Sequence, residues 1–363
     1  MISDNTFTKE WIQGISLDYK QGKRKADPGL IEKVTKAIYL LESLAQTDLK
    51  FIFKGGTSLL LLLNDMHRFS IDIDIIVESE KDEDAMEKTL SHLVEQSEIF
   101  TRFEENVRNS NQEIPKAHYK LFYMSVIDEE ESHIILDILY EKSHYSDVIK
   151  KSIDCGIIKC EGPEVYVNVP SVDCILGDKL TAFAPNTTGI PYGKDKELEI
   201  IKQLFDVGNL FDEMHDINVV GKTFEKVARQ ELIYRKMDKV ITHEDVLDDI
   251  FETSKIISER GFTEKDIFAQ LEKGISRIKG YIFSKNFIIE SAINSASKAA
   301  YLSRLIKYGI SDIERFDPKI NLIEYTIKHP DFLRFKSILK YDPEAYFYWY
   351  KAIETINAKE AGQ

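Results

Sequence analysis

Residues that could bind the phosphates and the metal ion of a nucleoside triphosphate occur in two short stretches of this 363-residue chain. Gly55 and Gly56 interrupt an apolar run, and Asp72 and Asp74 follow, one residue apart. Paired glycines let a backbone approach phosphate oxygens closely. Carboxylates together with substrate phosphates are the ligands that Mg²⁺ prefers. The two stretches together therefore predict chemistry on phosphoryl groups.

The segment after the glycine pair is predicted to supply donors for the phosphates. Its apolar spacing indicates a helix over residues 57–66, which places the amides of Thr57 and Ser58 at a helix N-terminus, where anions are favoured. Arg68 and Ser70 stand just before the aspartates. They could orient the carboxylates or the phosphates, and they could equally cap the strand that follows. We therefore predict nucleotide contacts for all four residues.

The aspartate pair lies in a segment, residues 70–77, that alternates like a half-buried strand. Asp72 and Asp74 then project from one face. A third acid, Asp137, lies in the apolar strand predicted over residues 133–140, where an unpaired charge is costly. Either motif alone is more typical of a turn or a surface, and Asp137 alone could be a sheet-edge residue. In combination the three acids are predicted metal ligands, and in a two-metal arrangement Asp137 would also help to activate an acceptor hydroxyl for in-line attack.

The pattern of the chain changes near residue 170. Helices and strands alternate over residues 1–170, which predicts an α/β domain with a mixed sheet. Nearly all of residues 171–363 follows a helical pattern, which predicts a second, helical domain. We find no repeat of fixed period and no long linker.

The composition is typical of a globular protein with two cores, since 43% of the residues are hydrophobic and 30% are charged. The three cysteines form no CxxC pair, so neither a disulfide framework nor a zinc site is indicated. The longest apolar run is too short to span a bilayer, and the first residues do not resemble a secretory signal. We therefore expect a cytoplasmic protein without membrane contact.

The net charge of −14 argues against tight, nonspecific binding to nucleic acid, because such binders usually carry a basic surface. A local basic patch can still bind nucleic acid in a protein whose net charge is negative. The basic run at residues 20–25 is more typical of a solvated loop. A small or structured RNA therefore stays possible as a partner.

The order of the motifs resembles the nucleotidyltransferase superfamily with the polymerase-β-type fold, which has a glycine turn, an Asp-x-Asp pair and a later acid. More narrowly, the chain resembles the AbiEii toxin family, the nucleotidyltransferase component of type IV toxin–antitoxin systems. This resemblance rests on four blocks in the same order: KGGTSL at 54–59, RFSIDID at 68–74, GDKLTAF at 177–183 and KQLFDV at 202–207.

The resemblance implies that the helical domain adds Lys179 and Asp206 to the active site. Lys179 matches a lysine that contacts nucleotide phosphates, and such a cation would neutralise charge on the leaving pyrophosphate. Asp206 matches an acid that supports catalysis, although many relatives have Arg-Asp where this chain has Lys202-Gln203. The alternatives are a solvated helix lysine at 179 and a helix-surface acid at 206 that pairs with Lys202.

The implied enzyme uses Mg²⁺, or alternatively Mn²⁺, to move a nucleoside monophosphate from an NTP to an acceptor. It would act as a toxin of a toxin–antitoxin or phage-defence system, with its antitoxin encoded nearby. Acceptors in the superfamily include the 3′ end of tRNA, so RNA is expected, and a protein hydroxyl is the second possibility. The alternative to an enzyme is a non-catalytic protein with the same fold that binds a nucleotide or a protein partner.

Overall fold

The computed structural model describes residues 1–21, 26–63, 68–106, 114–283 and 286–361. It divides the chain into two compact units. The first unit comprises Met1–Ser171 together with Tyr281–Lys285, and the second comprises Val172–Gly280 together with Asn286–Gln363. The first unit is therefore built from two separate pieces of the chain.

The first unit contains a mixed sheet of seven strands. The strands are β1 (Ile52–Lys54), β2 (Ile73–Val77), β3 (Phe100–Glu105), β4 (Lys116–Met124), β5 (Glu131–Tyr140), β6 (Val148–Ser152) and β7 (Tyr166–Pro170). Their order across the sheet is β3-β4-β5-β2-β1-β7-β6. The parallel pairs are β2 with β5 and β1 with β7, and the other neighbours are antiparallel.

Four helices belong to the first unit: α1 (Lys9–Gln21), α2 (Pro28–Ala45), α3 (Leu59–Leu62) and α4 (Glu83–Gln96). Helix α2 begins as its sequence indicates, because the Asp27 side chain accepts the N–H of Leu30 at 2.9 Å and Pro28 fits the first turn. The α2 side chain of Lys36 lies over the Tyr123 ring of β4. Helix α2 therefore packs on the face of the sheet that carries Tyr123.

The sheet has one buried and one half-open face. Along β4 and β5 alternate residues are buried: Ala117, Tyr119, Leu121, Tyr123, Ile134, Leu136, Ile138 and Tyr140. Most of the residues between them are partly exposed. This alternation follows from the side-chain period of two in a strand. We call the partly exposed side the open face, and Asp137 lies on it.

Two predicted elements of the first unit differ from the structure. Strand β2 begins at Ile73, so Asp72 lies just before it instead of inside it. The helix predicted over residues 57–66 is described only as the single turn α3, and residues 64–67 lie outside the described part. Strands β3 and β6 were not predicted, because both are polar edge strands without clear alternation.

The segment Tyr281–Phe283 completes the first unit beside the aspartates. The Phe69 N–H donates to the carbonyl of Tyr281 at 3.1 Å, and Arg68 forms an antiparallel bridge with Ile282. The Phe69 and Phe283 ring centroids are 4.3 Å apart. A distant part of the sequence therefore supports the residues that lead into Asp72.

The second unit is helical. Its elements are α5 (Val172–Ala182), α6 (Glu197–Glu213), α7 (Ile217–Tyr234), α8 (His243–Ser258), α9 (Lys265–Ile278), α10 (Ile289–Tyr308) and α11 (Pro343–Ala361), with 3₁₀ segments at Leu322–Glu324 and Pro330–Lys340. Helix α10 packs against α6, α8 and α11. The buried Trp349 of α11 donates to Ser258 Oγ at 3.0 Å. The prediction of a mixed α/β region followed by a helical region is confirmed.

Candidate active site

Four side chains form a row across the open face of the sheet. His118 on β4, Asp137 on β5, Asp74 on β2 and Lys54 on β1 are register partners of one another on four neighbouring strands. Residues paired in this way project to the same face, and neighbouring strands are about 4.8 Å apart. The two carboxylates therefore lie side by side, with a basic side chain on each flank. The predicted acids of two distant segments are brought together here.

Asp74 lies directly against Gly55. An added Cβ at Gly55 would overlap Asp74 Oδ2 and lie 2.7 Å from Asp74 Cγ. The φ angle of Gly55 is +79°, a left-handed value that residues with a side chain rarely adopt. Glycine is therefore required at this position for two reasons, the backbone conformation and the close approach of the carboxylate.

Arg68 and Ser70 lie next to the second glycine of the turn. An added Cβ at Gly56 would lie 2.8 Å from both Arg68 Nη2 and Ser70 Oγ. Arg68 is only 8% exposed, and its Nη1 donates to the carbonyl of Phe69 at 3.1 Å. Strand β2 begins three residues after Ser70. The structure thus places both residues at the glycine turn.

Thr57 and Ser58 are buried, and their hydroxyls have structural partners. Thr57 Oγ1 donates to the carbonyl of Asp72 at 2.6 Å, and Ser58 Oγ donates to the carbonyl of Gly55 at 2.8 Å. The Thr57 bond ties the glycine turn to Asp72. Helix α3, which follows, has only four residues, so its dipole adds little to anion binding. Any phosphate contact here would depend on the amides of the turn.

His118 is a candidate functional residue that the sequence did not reveal. Its Nδ1 donates to Asp137 Oδ1 at 2.6 Å, and the side chains are 13% and 27% exposed. The spacing of the histidines in the sequence matches no metal-binding pattern, and the contact of His118 with Asp137 depends on the register of β4 against β5. The hydrogen bond orients the Asp137 carboxylate and occupies one of its two oxygens.

We predict that His118 acts through the position of Asp137. His118→Ala should lower kcat for nucleotide transfer by about 10–100-fold, as is typical when the partner of a ligating group is removed. His118→Asn should restore most of the activity, because its amide nitrogen can donate from nearly the same place as Nδ1. Steady-state transfer assays on both variants, with KM for NTP measured in parallel, test this. Equal loss of kcat in both would show that the imidazole itself is needed.

The carboxylates suit a metal ion that arrives with its substrate. Within the described residues, no group of three or more His, Cys, Asp or Glu side chains is arranged to hold a metal by itself. Mg²⁺ usually takes one or two carboxylates and completes its shell with substrate phosphates and water. The adjacent Asp74 and Asp137, with Asp72 tied to the turn, fit that mode of binding. Their role as metal ligands stays a prediction.

Lys179 and Asp206 form a buried ion pair within the second unit. Lys179 Nζ on α5 lies 2.9 Å from Asp206 Oδ2 on α6, and it also donates to Gln203 Oε1 at 3.1 Å. Asp206 is 1% exposed, so it is not a helix-surface acid. Lys202 lies 3.0 Å from Glu199 Oε1. The two residues that the resemblance singled out are therefore joined to each other.

A protein-family model matches residues 38–286, about two thirds of the chain, and its description is "Nucleotidyl transferase AbiEii toxin, Type IV TA system". The chain belongs to the AbiEii family. The match contains the glycine turn, Asp72, Asp74 and Asp137, and the Lys179–Asp206 pair. As an AbiEii protein it is a nucleotidyltransferase toxin, which implies an NTP substrate and a cognate antitoxin. No curated protein matches the chain significantly.

Three solved structures are similar to this AbiEii protein. JHP933 from Helicobacter pylori is 15% identical in sequence, and the matched region covers 77% of this chain and 91% of the JHP933 chain, with a TM-score of 0.41. A candidate nucleotidyltransferase from the same species is 16% identical, covering 77% and 94%, also with a TM-score of 0.41. An antigenic nucleotidyltransferase-like protein from Paracoccidioides brasiliensis is 12% identical, covering 58% and 94%, with a TM-score of 0.36. No described helix of the chain is long and apolar enough to cross a membrane.

The ion pair of this AbiEii protein leads to a prediction about stability. Asp206→Asn should lower the free energy of unfolding by about 3–5 kcal/mol, because it leaves the Lys179 charge in a buried site beside a neutral amide. The double variant Lys179→Met/Asp206→Leu should recover most of that loss in urea unfolding. If the pair also serves catalysis, the stable double variant will still be inactive in transfer. Full activity in that variant would show that the pair is purely structural.

Proposed function

We propose that this nucleotidyltransferase moves a nucleoside monophosphate from an NTP to the 3′ end of an RNA, with tRNA as the leading acceptor. The observation that carries the proposal is the packing of the glycine turn against the aspartates. Gly55 leaves room for the Asp74 carboxylate, and Thr57 is bonded to the carbonyl of Asp72. The candidate phosphate-binding turn thus contacts the segment that carries two of the candidate metal ligands.

In the proposed reaction the acceptor oxygen forms a bond to the α-phosphorus, and the bond from that phosphorus to the bridging oxygen of pyrophosphate breaks. Asp72, Asp74 and Asp137 would hold Mg²⁺, which neutralises phosphate charge when bound. The amides of residues 55–58 would orient the phosphates. Asp137, which is hydrogen-bonded to His118, would accept the proton of the acceptor hydroxyl.

Two cationic groups are proposed to assist the departure of pyrophosphate. Arg68 lies beside Gly56 in the first unit, and guanidinium groups bind phosphate oxygens in pairs. Lys179 is assigned to the nucleotide phosphates by its correspondence to the family motif. Its pairing with Asp206 supports an orienting role for that acid. Both cations would stabilise negative charge that develops in the transition state.

RNA is favoured as acceptor over a protein hydroxyl by charges on the open face. Lys116 and Lys120 on β4 are partly exposed and lie on the same face as His118. The pKa of His133, also on this face, is lowered first by partial burial and then by the positive charges of Lys120 and Lys33, while Glu104 and Glu131 raise it. Lys116 and Lys120 therefore offer cationic groups to phosphates on a face that also carries acids, in a chain of net charge −14.

Labelling with each of the four α-³²P NTPs tests the proposal. The purified protein and an Asp72→Ala/Asp74→Ala variant are incubated with Mg²⁺ and total bacterial RNA, and the products are resolved on a gel. Label in a discrete RNA band only with the intact aspartates supports the proposal and identifies the nucleotide. Label on protein moves the acceptor to a polypeptide hydroxyl. No label in any fraction favours the non-catalytic binding protein.

A further inference from the structure

We propose that a cavity beside the carboxylates binds the terminal nucleoside of the acceptor RNA, an inference that rests on the function proposed above. The cavity has a volume of about 840 Å³, which is in the range of small-molecule sites. All the residues that line it belong to the first unit. We call it the β1–β2 cavity, and the lining residues used below are Lys50, Ile52, Ile76, Lys142, Tyr145 and Asn168.

The β1–β2 cavity lies where β1 begins and β2 ends, and part of its lining is on the same face as the row of charged residues. Ile52 and Ile76 are register partners, and each lies two residues along its strand from Lys54 or Asp74. Two residues of a strand span about 7 Å and return the side chain to the same face. Asn168 on β7 pairs with Ile52 and extends this surface. The cavity is therefore about one nucleoside length from the candidate metal ligands.

The cavity and the glycine turn lie on opposite sides of the Asp74–Lys54 pair. The turn follows the C-terminal end of β1, whereas Lys50 and Ile52, at the other end of this strand, line the cavity. In phosphoryl transfer the attacking and leaving oxygens are roughly in line. If pyrophosphate leaves toward the glycine turn, the acceptor hydroxyl must approach from the side on which the cavity opens.

The walls of the cavity carry groups suited to a nucleotide. The largely buried Tyr145 contributes an aromatic ring to the wall, and Lys54 Nζ lies 5.8 Å from the centroid of this ring, which links the wall to the charged row. Bases stack on aromatic rings without sequence preference. The exposed Asn168 side chain offers both a donor and an acceptor for a base edge. Tyr166, two residues earlier on the same face, is 52% exposed and could stack a second base.

Both lysines and acids line the cavity. Lys50 and Lys142 line it and are exposed, and Lys150 on β6 is the register partner of Asn168. Asp48 and Glu78 also line the cavity, and Glu78 accepts the backbone N–H of Ser143 at 2.8 Å. Among the residues that line the cavity, the two lysines balance the two acids. The exposed ammonium groups of Lys50 and Lys142 are the groups that would contact the phosphates on either side of a terminal nucleoside.

Two variants test the cavity while leaving the proposed catalytic residues intact. Lys50→Glu/Lys142→Glu reverses the charge at the opening, and Asn168→Trp fills the cavity from an exposed position. We expect KM for total bacterial tRNA to rise at least tenfold in each variant, with KM for NTP changed less than twofold. In the charge variant the salt dependence of log KM for tRNA should also weaken by about one unit per lost phosphate contact. The matched control is Lys9→Glu/Lys88→Glu, which makes the same charge change at exposed helix positions outside the cavity.

The outcomes separate this inference from the proposed function. If the wild-type protein labels tRNA and both cavity variants keep its KM for tRNA, the cavity assignment is wrong and the function stands. An increase confined to KM for NTP would place the donor nucleotide in the cavity and overturn the assignment. If the wild-type protein labels no RNA, both proposals fail. Thermal unfolding of each variant shows whether a change in KM reflects loss of the fold.

Discussion

Asp74→Asn is expected to lower nucleotide transfer by about 10³-fold or more. The change removes one negative charge from the pair of carboxylates on β2 and β5, which are the proposed ligands of a metal-bound triphosphate. Metal-assisted charge stabilisation contributes several kcal/mol to such transition states, and each 1.36 kcal/mol corresponds to a factor of ten. Single-turnover transfer with labelled NTP measures the effect directly.

The amide of Asn has the same size and shape as the Asp74 carboxylate, so the packing against Gly55 should survive. The melting temperature of Asp74→Asn should therefore stay close to that of the wild type. Asp84→Asn, at an exposed position in the first turn of α4, is the matched control and should transfer normally. Transfer by Asp74→Asn within tenfold of the wild-type rate would rule out a metal ligand at this position.

Gly55→Ala is expected to damage both activity and stability. The new methyl group would overlap the Asp74 carboxylate, and the residue would have to keep a φ of +79°. The left-handed conformation alone costs about 1–2 kcal/mol for a residue with a side chain. Displacement of Asp74 by about 1 Å should lower transfer by about 10²-fold. Urea unfolding and steady-state transfer measure the two effects.

Gly14→Ala provides the comparison for Gly55→Ala. Gly14 lies inside α1, and an added Cβ there would have no atom within 4 Å. Alanine in a helix is more favourable than glycine by about 0.5–1 kcal/mol, so this variant should be as stable as the wild type or slightly more stable. If Gly55→Ala behaves like Gly14→Ala in both assays, the close approach of the turn to Asp74 has no functional role.

The sequence predicts those parts of the site whose conformation depends on a single short segment of the chain. Strand periodicity predicts that Asp74 projects away from the neighbouring isoleucines, and Ile73 and Ile75 are indeed buried. The glycine pair predicts a turn, and Gly55 has the left-handed φ that glycine permits. Asp72 was placed inside the strand, whereas β2 begins one residue later. The residue at which a strand begins depends on hydrogen bonds to the neighbouring strands, so the sequence of one segment does not determine it.

The parts that could not be predicted depend on contacts between distant segments. His118 meets Asp137 because β4 and β5 pair in one register, and a shift by one residue would turn His118 to the buried face. Asp206 has the spacing of a surface acid relative to Lys202, yet the packing of α6 buries it beside Lys179 of α5. Neither contact has a local sequence signal.

The return of Tyr281–Phe283 to the first unit has a consequence for synthesis of the toxin. Residues 172–280 are, in effect, an insertion whose two ends are both anchored in the unit that carries the aspartates. A nascent chain that stops before residue 281 lacks the carbonyl to which the Phe69 N–H donates and the ring that packs on Phe69. The support beside Asp72 is thus completed late in translation. Incomplete products would therefore lack this support beside the candidate metal ligands.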